Sequence, residues 1–512
     1  MRYRENRTGR TGHEHFPGLI LTTPGTTNTQ GEAWGFHYGW SGGHRMIAEE
    51  LPDGRRQVQF GHATGTDAAP ATEVRTATLY AAYGDAGINS AATRLQALVH
   101  DLVPWPDAAR PRPVHYNCWE AVYFDHDLDA LTQIAGRAAR IGAERFVLDD
   151  GWFGRRDDDT TSLGDWTIDR RKWPDGLTPL IEAVHGLGMT FGLWVEPEMV
   201  NPDSDLYRAR PDWILGPADQ TMGRHQYVLD MSREEVRDHL FTALDAVFAA
   251  HPIDYVKWDH NRLLPIADAG QARGFYDLLD RLRAAHPGIE FESCASGGGR
   301  IDYGVLTRTH RVWLSDSNDA IERLRIQADA ALFLPPSVTG AHVGPRECHS
   351  SGRILPMAFR AGVASMRHMG FEMDLRELTE AEEATLTRRT DWWKARRDWA
   401  MTAALHRVDS NDPSVIAETQ VARDGSRFTL FAGHVATSGP SLPRPVRLAG
   451  LDPQATYEVT LLNPEDAPPQ SRGTVALKDA PIRASGRFLM EQGVTLPVSW
   501  PATLWICEGR RL

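Results

Sequence analysis

Between Gly18 and about Ala82 apolar residues alternate with polar ones, glycines stand at turn-like places (Gly31, Gly35, Gly39, Gly42, Gly43), and no helical period runs through the segment. This period of two predicts β-sheet. From about Asn89 to Leu102 the spacing turns helical, and the proline-rich stretch from Val103 to Pro113 predicts a linker, with a domain boundary near Arg110. Beyond it, short apolar runs alternate with amphipathic helices, as in parallel β/α architecture. Strands are predicted near Pro113 to Tyr116, Arg145 to Leu148, Met189 to Val195, Tyr255 to Trp258, Glu290 to Ser293, Val312 to Ser315, Val338 to Ala341 and Ser365 to Phe371. Eight such strands predict a closed (β/α)8 TIM barrel, an α/β fold.

The helices between them carry local signals. Ser232 and Glu235 read as a capping box ahead of Val236, Leu240, Leu244, Val247 and Phe248 at helical spacing. Further helices are predicted near Leu128 to Ile141, Gly176 to Leu187, Ala272 to Ala285 and Ala320 to Leu334, each with one apolar stripe. After Thr390 a tryptophan-rich helix around Trp392 and Trp393 leads into strand-like segments at Ser426 to Ala432 and Tyr457 to Leu462, a C-terminal antiparallel β domain.

At 512 residues the chain exceeds the size at which one core stops growing, so two or three domains are expected. A net charge of −13 without a basic run argues against nucleic-acid and membrane-surface partners and favours a neutral small molecule. The polar N-terminus lacks a secretory leader and no stretch of about 20 apolar residues occurs, so a cytoplasmic location is expected. Cys118, Cys294, Cys348 and Cys507 form no C-x-x-C pair, which leaves reduced thiols as the simplest expectation. The 16 tryptophans add modest weight for a sugar ligand, since aromatic faces pack against pyranose rings.

In such a barrel, chemistry collects at the C-terminal ends of the strands. The second strand runs into Asp149-Asp150-Gly151-Trp152, the third into Glu196-Pro197-Glu198 and the fourth into Asp259-His260-Asn261. The fifth runs into Cys294-Ala295-Ser296-Gly297-Gly298-Gly299-Arg300 and the sixth into Ser315-Asp316. A lone Asp after a strand is more often a turn or a helix cap, and Asp316 in particular stands where it could cap a helix starting near Asp319. Five strands ending alike, with Lys257 two residues before Asp259, instead predict a concave polar pocket. The glycine run lacks the Lys and Ser/Thr of a phosphate loop.

In this order and spacing, Phe146-Val147-Leu148-Asp149-Asp150-Gly151-Trp152-Phe153, Gly192-Leu193-Trp194-Val195-Glu196-Pro197-Glu198-Met199, Tyr255-Val256-Lys257-Trp258-Asp259, the Cys294 to Arg300 string and Trp313-Leu314-Ser315-Asp316 resemble the retaining α-galactosidases of glycoside hydrolase family 36. The resemblance runs from about Gly9 to the C-terminus. It implies that Asp259 is the nucleophile, whose ionised form Lys257 should favour, and that Asp316 is the general acid/base, with a raised pKa and Trp313 as an apolar wall. It also implies Asp149 and Asp150 on the C4 and C6 hydroxyls, Trp194 and Trp119 as walls around the ring, and Arg224 and Lys257 as charged donors. Cys294 falls beside the C2 hydroxyl, Gly297 and its neighbours let backbone approach the sugar, and Asn261 joins the substrate-binding set.

No metal and no cofactor are expected, and Asp157, Asp158 and Asp159 read as a solvated charge cluster. The expected substrate is a terminal α-D-galactoside of the melibiose or raffinose type, with retention of configuration. A galactosyl-transferring relative of the raffinose synthase type and a catalytically silent sugar-binding protein are the alternatives. Longer family members carry a large β-sandwich before the barrel, and Gly9 to His15 resembles a motif deep inside it. The expected domains are therefore a partial N-terminal β-sandwich and linker (1–110), the catalytic barrel (111–398) and a C-terminal β-sandwich (399–512). Strands absent from that sandwich would leave edges or apolar surface for another chain to cover, so a homo-oligomer is also expected.

Overall fold

Short strands with Val, Phe, Leu and Trp on one side and charged or polar residues on the other can be satisfied only if both sides are buried, and closing the sheet achieves this. In the computed structural model, which describes residues 1–67, 72–73, 75–468 and 475–512, eight parallel strands form that closed barrel. They are β1 (His115–Asn117), β2 (Arg145–Leu148), β3 (Thr190–Val195), β4 (Tyr255–Trp258), β5 (Glu290–Ser293), β6 (Arg311–Trp313), β7 (Thr339–Val343) and β8 (His368–Phe371). Each pairs in parallel with the next, and β8 closes onto β1 through Gly370–His115 and Phe371–Tyr116.

All eight predicted strands are present, with ends displaced by a few residues. Ser365 belongs to the preceding helix terminus, where its backbone N–H donates to Ala361 and its hydroxyl to Gly362. The sixth strand ends at Trp313 rather than Ser315. The capping box expected at Ser232 and Glu235 does not form. The helix begins at Glu234 without a side-chain cap, the Ser232 hydroxyl donates to Asp230 (2.5 Å) and Glu235 pairs with Arg233 (2.6 Å). A full capping box forms instead at Thr379 and Glu382, opening the helix Glu380–Ala400 that carries Trp392 and Trp393.

The lower interior of the barrel is polar. Arg145 pairs with Glu290 (2.6 Å), Tyr255 donates to Glu292 (2.6 Å), Arg311 pairs with Glu292, and His342 bridges Arg311 and Glu372 (2.8 Å each). Charges buried this deep persist only as a mutually paired set.

Between β5 and β6 the helix shrinks to one turn, Tyr303–Leu306. The helix Ile88–Leu102 takes its place, burying Leu95, Val99 and Val103 with Tyr303, Leu306, Val312 and Phe333 in one cluster. Ahead of it, Arg2–Asn6, His44–Glu50 and Arg56–His62 form one three-stranded antiparallel sheet, and Gly18–Thr22, Ala33–Tyr38 and Leu79–Gly84 a second. The β-structure expected from Gly18 to Ala82 is present, except that residues 68–71 and 74 lie outside the described residues. After the barrel, residues 404–511 contain a six-stranded antiparallel sheet. It is joined to the barrel by the buried Arg367–Glu418 pair (2.5 Å) and by Phe431, Leu504 and Ile506 packed with Leu324 and Phe359.

Candidate active site

The strand ladders run one residue past the strands themselves. Asp259 N–H donates to Val195 O and Cys294 N–H to Trp258 O (2.8 Å each), so both residues stand at the rim where β3, β4 and β5 meet. Asp259 is buried, and donors surround its carboxylate. Oδ2 accepts from Asn261 Nδ2 (2.7 Å) and Trp194 Nε1 (3.2 Å), while Oδ1 accepts from the backbone of His260 (2.8 Å) and Ser296 (3.2 Å). Burial pushes this carboxyl up, but the charges of Lys257 and Arg224 and the Asn261 and His260 donors outweigh it and hold the group below the ordinary carboxylate value. The result is a fixed, ionised carboxylate.

Asp316 lies in the same mouth under the opposite balance. Enclosure by protein, followed by the charge of Asp259, raises its carboxyl to about 6. Its side chain stays open to the mouth, where a group that must exchange protons needs to be. It does not cap the helix Ala320–Ala330; Asp319 does, accepting from Ile321 and Glu322. Trp313, expected as an apolar wall, acts through its polar edge as well: Nε1 donates to Asp316 Oδ1 (3.0 Å) and opposes the rise. Its ring lies between His342 (4.1 Å) and the Arg323 guanidinium (4.1 Å).

On the β1–β2 side, Asp149 Oδ2 accepts from Lys257 Nζ (2.8 Å) and Asn117 Nδ2 (2.6 Å). Lys257 is thus bonded to Asp149 and reaches Asp259 only through its field. Asp150 is held by both Nε and Nη2 of the fully buried Arg156 (2.6 and 2.8 Å), and burial raises its carboxyl against that pairing. Trp119 follows on the β1 side, half-buried, with Tyr123 and Phe124 edge-on at 4.9 and 5.1 Å. Arg224 occupies a left-handed backbone position (φ 52°). Its charge acts on Glu196, Asp259 and Asp150, and its Nε lies 3.8 Å from Asp159. The acidic run is therefore not merely solvated, since Asp157 also pairs with Arg171 (2.8 Å) and Lys172 (3.3 Å).

The glycine run serves backbone packing. Gly297 has φ +78°, and a Cβ there would sit 2.7 Å from Ser315 Cα and 2.8 Å from Asp316 N; one on Gly298 would sit 2.4 Å from Leu314 O. Only glycine lets the β5 loop, which donates to Asp259 through Ser296, lie directly against the β6 loop that carries Asp316. Cys294 is buried beside them, its thiol pushed well up by burial and then by the charges of Asp259 and Asp316.

Glu196 has no assigned part in the sequence reading. It is fully buried and accepts from Asn261, through backbone and side chain (3.1 Å for Nδ2), and from Gln226 (3.1 Å). Burial and then the Asp259 charge raise it to about 7. Its position one residue past β3 was the available signal. Glu198, two residues on, faces elsewhere and ties Trp258 to Arg300. Asn117 and Arg156 were also missed, because nothing in their local sequence marks them as partners of Asp149 and Asp150.

The chain is similar to known proteins along its whole length. Residues 73–403 match the Melibiase family, residues 1–66 the glycosyl hydrolase family 36 N-terminal domain, and residues 416–505 the family 36 C-terminal domain. An α-galactosidase of Escherichia coli is 44% identical over 97% of this chain and 73% of its own length. α-Galactosidase Mel36A of Lactobacillus acidophilus is 35% identical over 88% of this chain and 64% of its own length. The crystal structure of the family 36 α-galactosidase AgaA from Geobacillus stearothermophilus superposes with a TM-score of 0.91 at 34% identity, covering 100% of this chain and 71% of that one. A variant of the same enzyme has been solved in complex with raffinose. The chain thus spans about two thirds to three quarters of the length of these relatives. Three matched segments in family order and a superposing barrel show that the chain belongs to glycoside hydrolase family 36, as a glycoside hydrolase of the α-galactosidase type.

Proposed function

We propose that the chain hydrolyses terminal α-D-galactosides of the melibiose and raffinose type by double displacement, with Asp259 as nucleophile and Asp316 as general acid/base. The observation that carries this reading is the divergence of two carboxyls in one mouth, one held below its ordinary value and one raised to about 6. Asp316 gives its proton to the glycosidic oxygen as that bond breaks, while Asp259 Oδ bonds to the anomeric carbon. Asp316, now ionised, takes a proton from water as the water oxygen displaces Asp259, and two inversions leave the α configuration.

In this reading Asp149 and Asp150, oriented by Lys257, Asn117 and Arg156, accept from the C4 and C6 hydroxyls. An equatorial C4 hydroxyl would point away from these fixed acceptors and lose that hydrogen bond. The raffinose-bound relative supports the substrate class. Four buried free thiols support a reducing, cytoplasmic setting; no helix among the described residues is long and apolar enough to cross a membrane. Exposed Leu79 and Tyr83 on an edge strand support contact with a further copy of the chain.

The test uses an aryl α-galactoside. The wild type is expected to release galactose with retained configuration, and Asp259→Ala to lose at least about a thousandfold in rate. Added azide should restore turnover in that variant and give the β-galactosyl azide. An α-azide, or an Asp259→Ala rate near wild type, refutes the assignment. With galactinol and sucrose present, oligosaccharide synthesis outpacing galactose release would establish the transferase instead.

A further inference from the structure

The segment Gly9 to His15 leaves its own sheet and lies against the loops that follow β4 and β5 at the rim of the barrel. Gly12 N–H donates to Gly299 O (2.9 Å), and a Cβ on Gly12 would sit 1.9 Å from Gly298 O, so this backbone is in direct contact with the glycine run. Thr11 Oγ1 donates to the buried Asp302 (2.9 Å), and a ring nitrogen of His13 is hydrogen-bonded to Ser296 O (3.0 Å). Ser296 in turn donates to Asp259 and, through its hydroxyl, to Asn261 (2.9 Å). The segment therefore reaches the nucleophile through one intervening residue.

Arg10 stands at the centre of this contact. Its backbone carbonyl is pinned by Asn6 Nδ2 (2.9 Å), and its Cδ lies 3.2 Å from where a Cβ on Gly299 would be. The charges of Asp259, Glu196 and Asp316 act on its guanidinium, so both reacting carboxyls are within its electrostatic reach. Yet its Nε is buried without a hydrogen-bond partner, and its side chain makes no ion pair or hydrogen bond among the described residues. Arg156 and Arg300 are by contrast ion-paired with Asp150 and Glu198, although the Nε of Arg300 is, like that of Arg10, buried without a partner. A guanidinium carries five donors in a rigid fork. Nε is the buried, unmet donor, and the remaining donors are reachable by water or by a ligand that enters the mouth.

We propose that Arg10 is a substrate-contacting, specificity-determining residue that donates to hydroxyls of the departing sugar, so that the leaving-group side of the site is built by the segment preceding the barrel. This rests on the galactosidase reading above and extends it. The residues that the proposed function assigns to the galactose ring come from the loops after β1 to β6, whereas Arg10 comes from a segment outside the barrel that packs on the β5 loop, from which it can meet the rest of the glycoside. It follows that the enzyme prefers a polyhydroxylated leaving group to an apolar one of equal basicity.

Melibiose and methyl α-D-galactoside separate these effects, because both release an alkoxide-type oxygen that needs the acid and only melibiose brings further hydroxyls. For Arg10→Ala, kcat/KM on melibiose should fall about 10- to 100-fold more than on the methyl galactoside, the scale of a hydrogen bond to a charged donor. The change should include a raised KM for melibiose. Arg10→Lys, which keeps the charge but not the fork, should recover part of that difference. Equal losses on both substrates would make Arg10 a source of field alone and overturn the proposal, as would no loss on either. A wild type that releases no galactose from either glycoside refutes the galactosidase reading itself, a result distinct from an active enzyme whose preference ignores Arg10.

Discussion

The Trp313–Asp316 hydrogen bond offers a sharp test of how the acid/base is tuned. The indole N–H stabilises the ionised form of Asp316 and so opposes the enclosure and the Asp259 charge that raise it to about 6. Trp313→Phe removes the donor but keeps most of the ring between His342 and Arg323, so the enclosure is largely preserved. A hydrogen bond to a charged group contributes about 1.5 to 3 kcal/mol, and one pKa unit corresponds to about 1.4 kcal/mol, which bounds the shift at about 1 to 2 units. Asp316 is open to the mouth, where water replaces part of the lost donor, so a rise of about 0.5 to 1 unit is expected. Because Asp316 must be protonated to act, activity is present below its pKa and is lost as pH rises through it. The basic limb of the kcat/KM profile on melibiose should therefore move upward, even though the maximal rate falls. The acidic limb, set by Asp259, has no Trp313 contact and should stay in place. A basic limb that stays fixed or moves downward would show that the indole acts on Asp316 mainly by excluding water, and the reasoning would be wrong.

Gly297→Ala places a methyl 2.7 Å from Ser315 Cα at φ +78°. It should cost about 1 kcal/mol in backbone strain and, by pushing the Asp316 loop away, about 100-fold in kcat; kcat within twofold of wild type would contradict the packing role. Arg145→Met leaves the buried Glu290 with Arg112, at 3.6 Å, as its one ion-pair partner among the described residues, and should destabilise the barrel by about 3 to 5 kcal/mol, read by thermal or urea unfolding. In the wild type Glu290 is held at about 2 against an ordinary 4.5. Its stabilising contribution is thus complete above about pH 4.5 and lost as pH falls toward about 2; in the variant, without the Arg145 charge, the folded-state carboxyl rises toward or past its ordinary value, so less stability should be lost between about pH 4.5 and 2. Unchanged acid sensitivity would refute the pairing argument.

Much of this architecture is legible in the sequence, for a simple reason. Apolar runs such as Phe146-Val147-Leu148 and Tyr255-Val256 have to be buried, and the polar residues that follow them must emerge at one end of the strands. Less was legible where two local options compete. Ser232 and Glu235 satisfy the spacing of a capping box, but Asp230 captures the serine and Arg233 the glutamate. The strand Glu290-Phe291-Glu292-Ser293 carries charges into the barrel interior, which is tolerable only because Arg145, Arg311 and Tyr255 meet them from other strands.

The sequence by itself determined the strand and helix order, the closed barrel, and the set of rim residues from Asp149 to Asp316, because burial and strand period act over a few residues. Tertiary structure alone decided that Lys257 bonds Asp149 while only its field reaches Asp259, that Arg156 holds Asp150, and that Gly297 seats the Asp316 loop against the Asp259 side. The fold likewise brought Arg10 to the rim from a segment almost 250 residues before its electrostatic partner Asp259. Electrostatic tuning depends on distances between groups far apart in the chain, and those distances exist only once the barrel has closed and the N-terminal segment has docked on it.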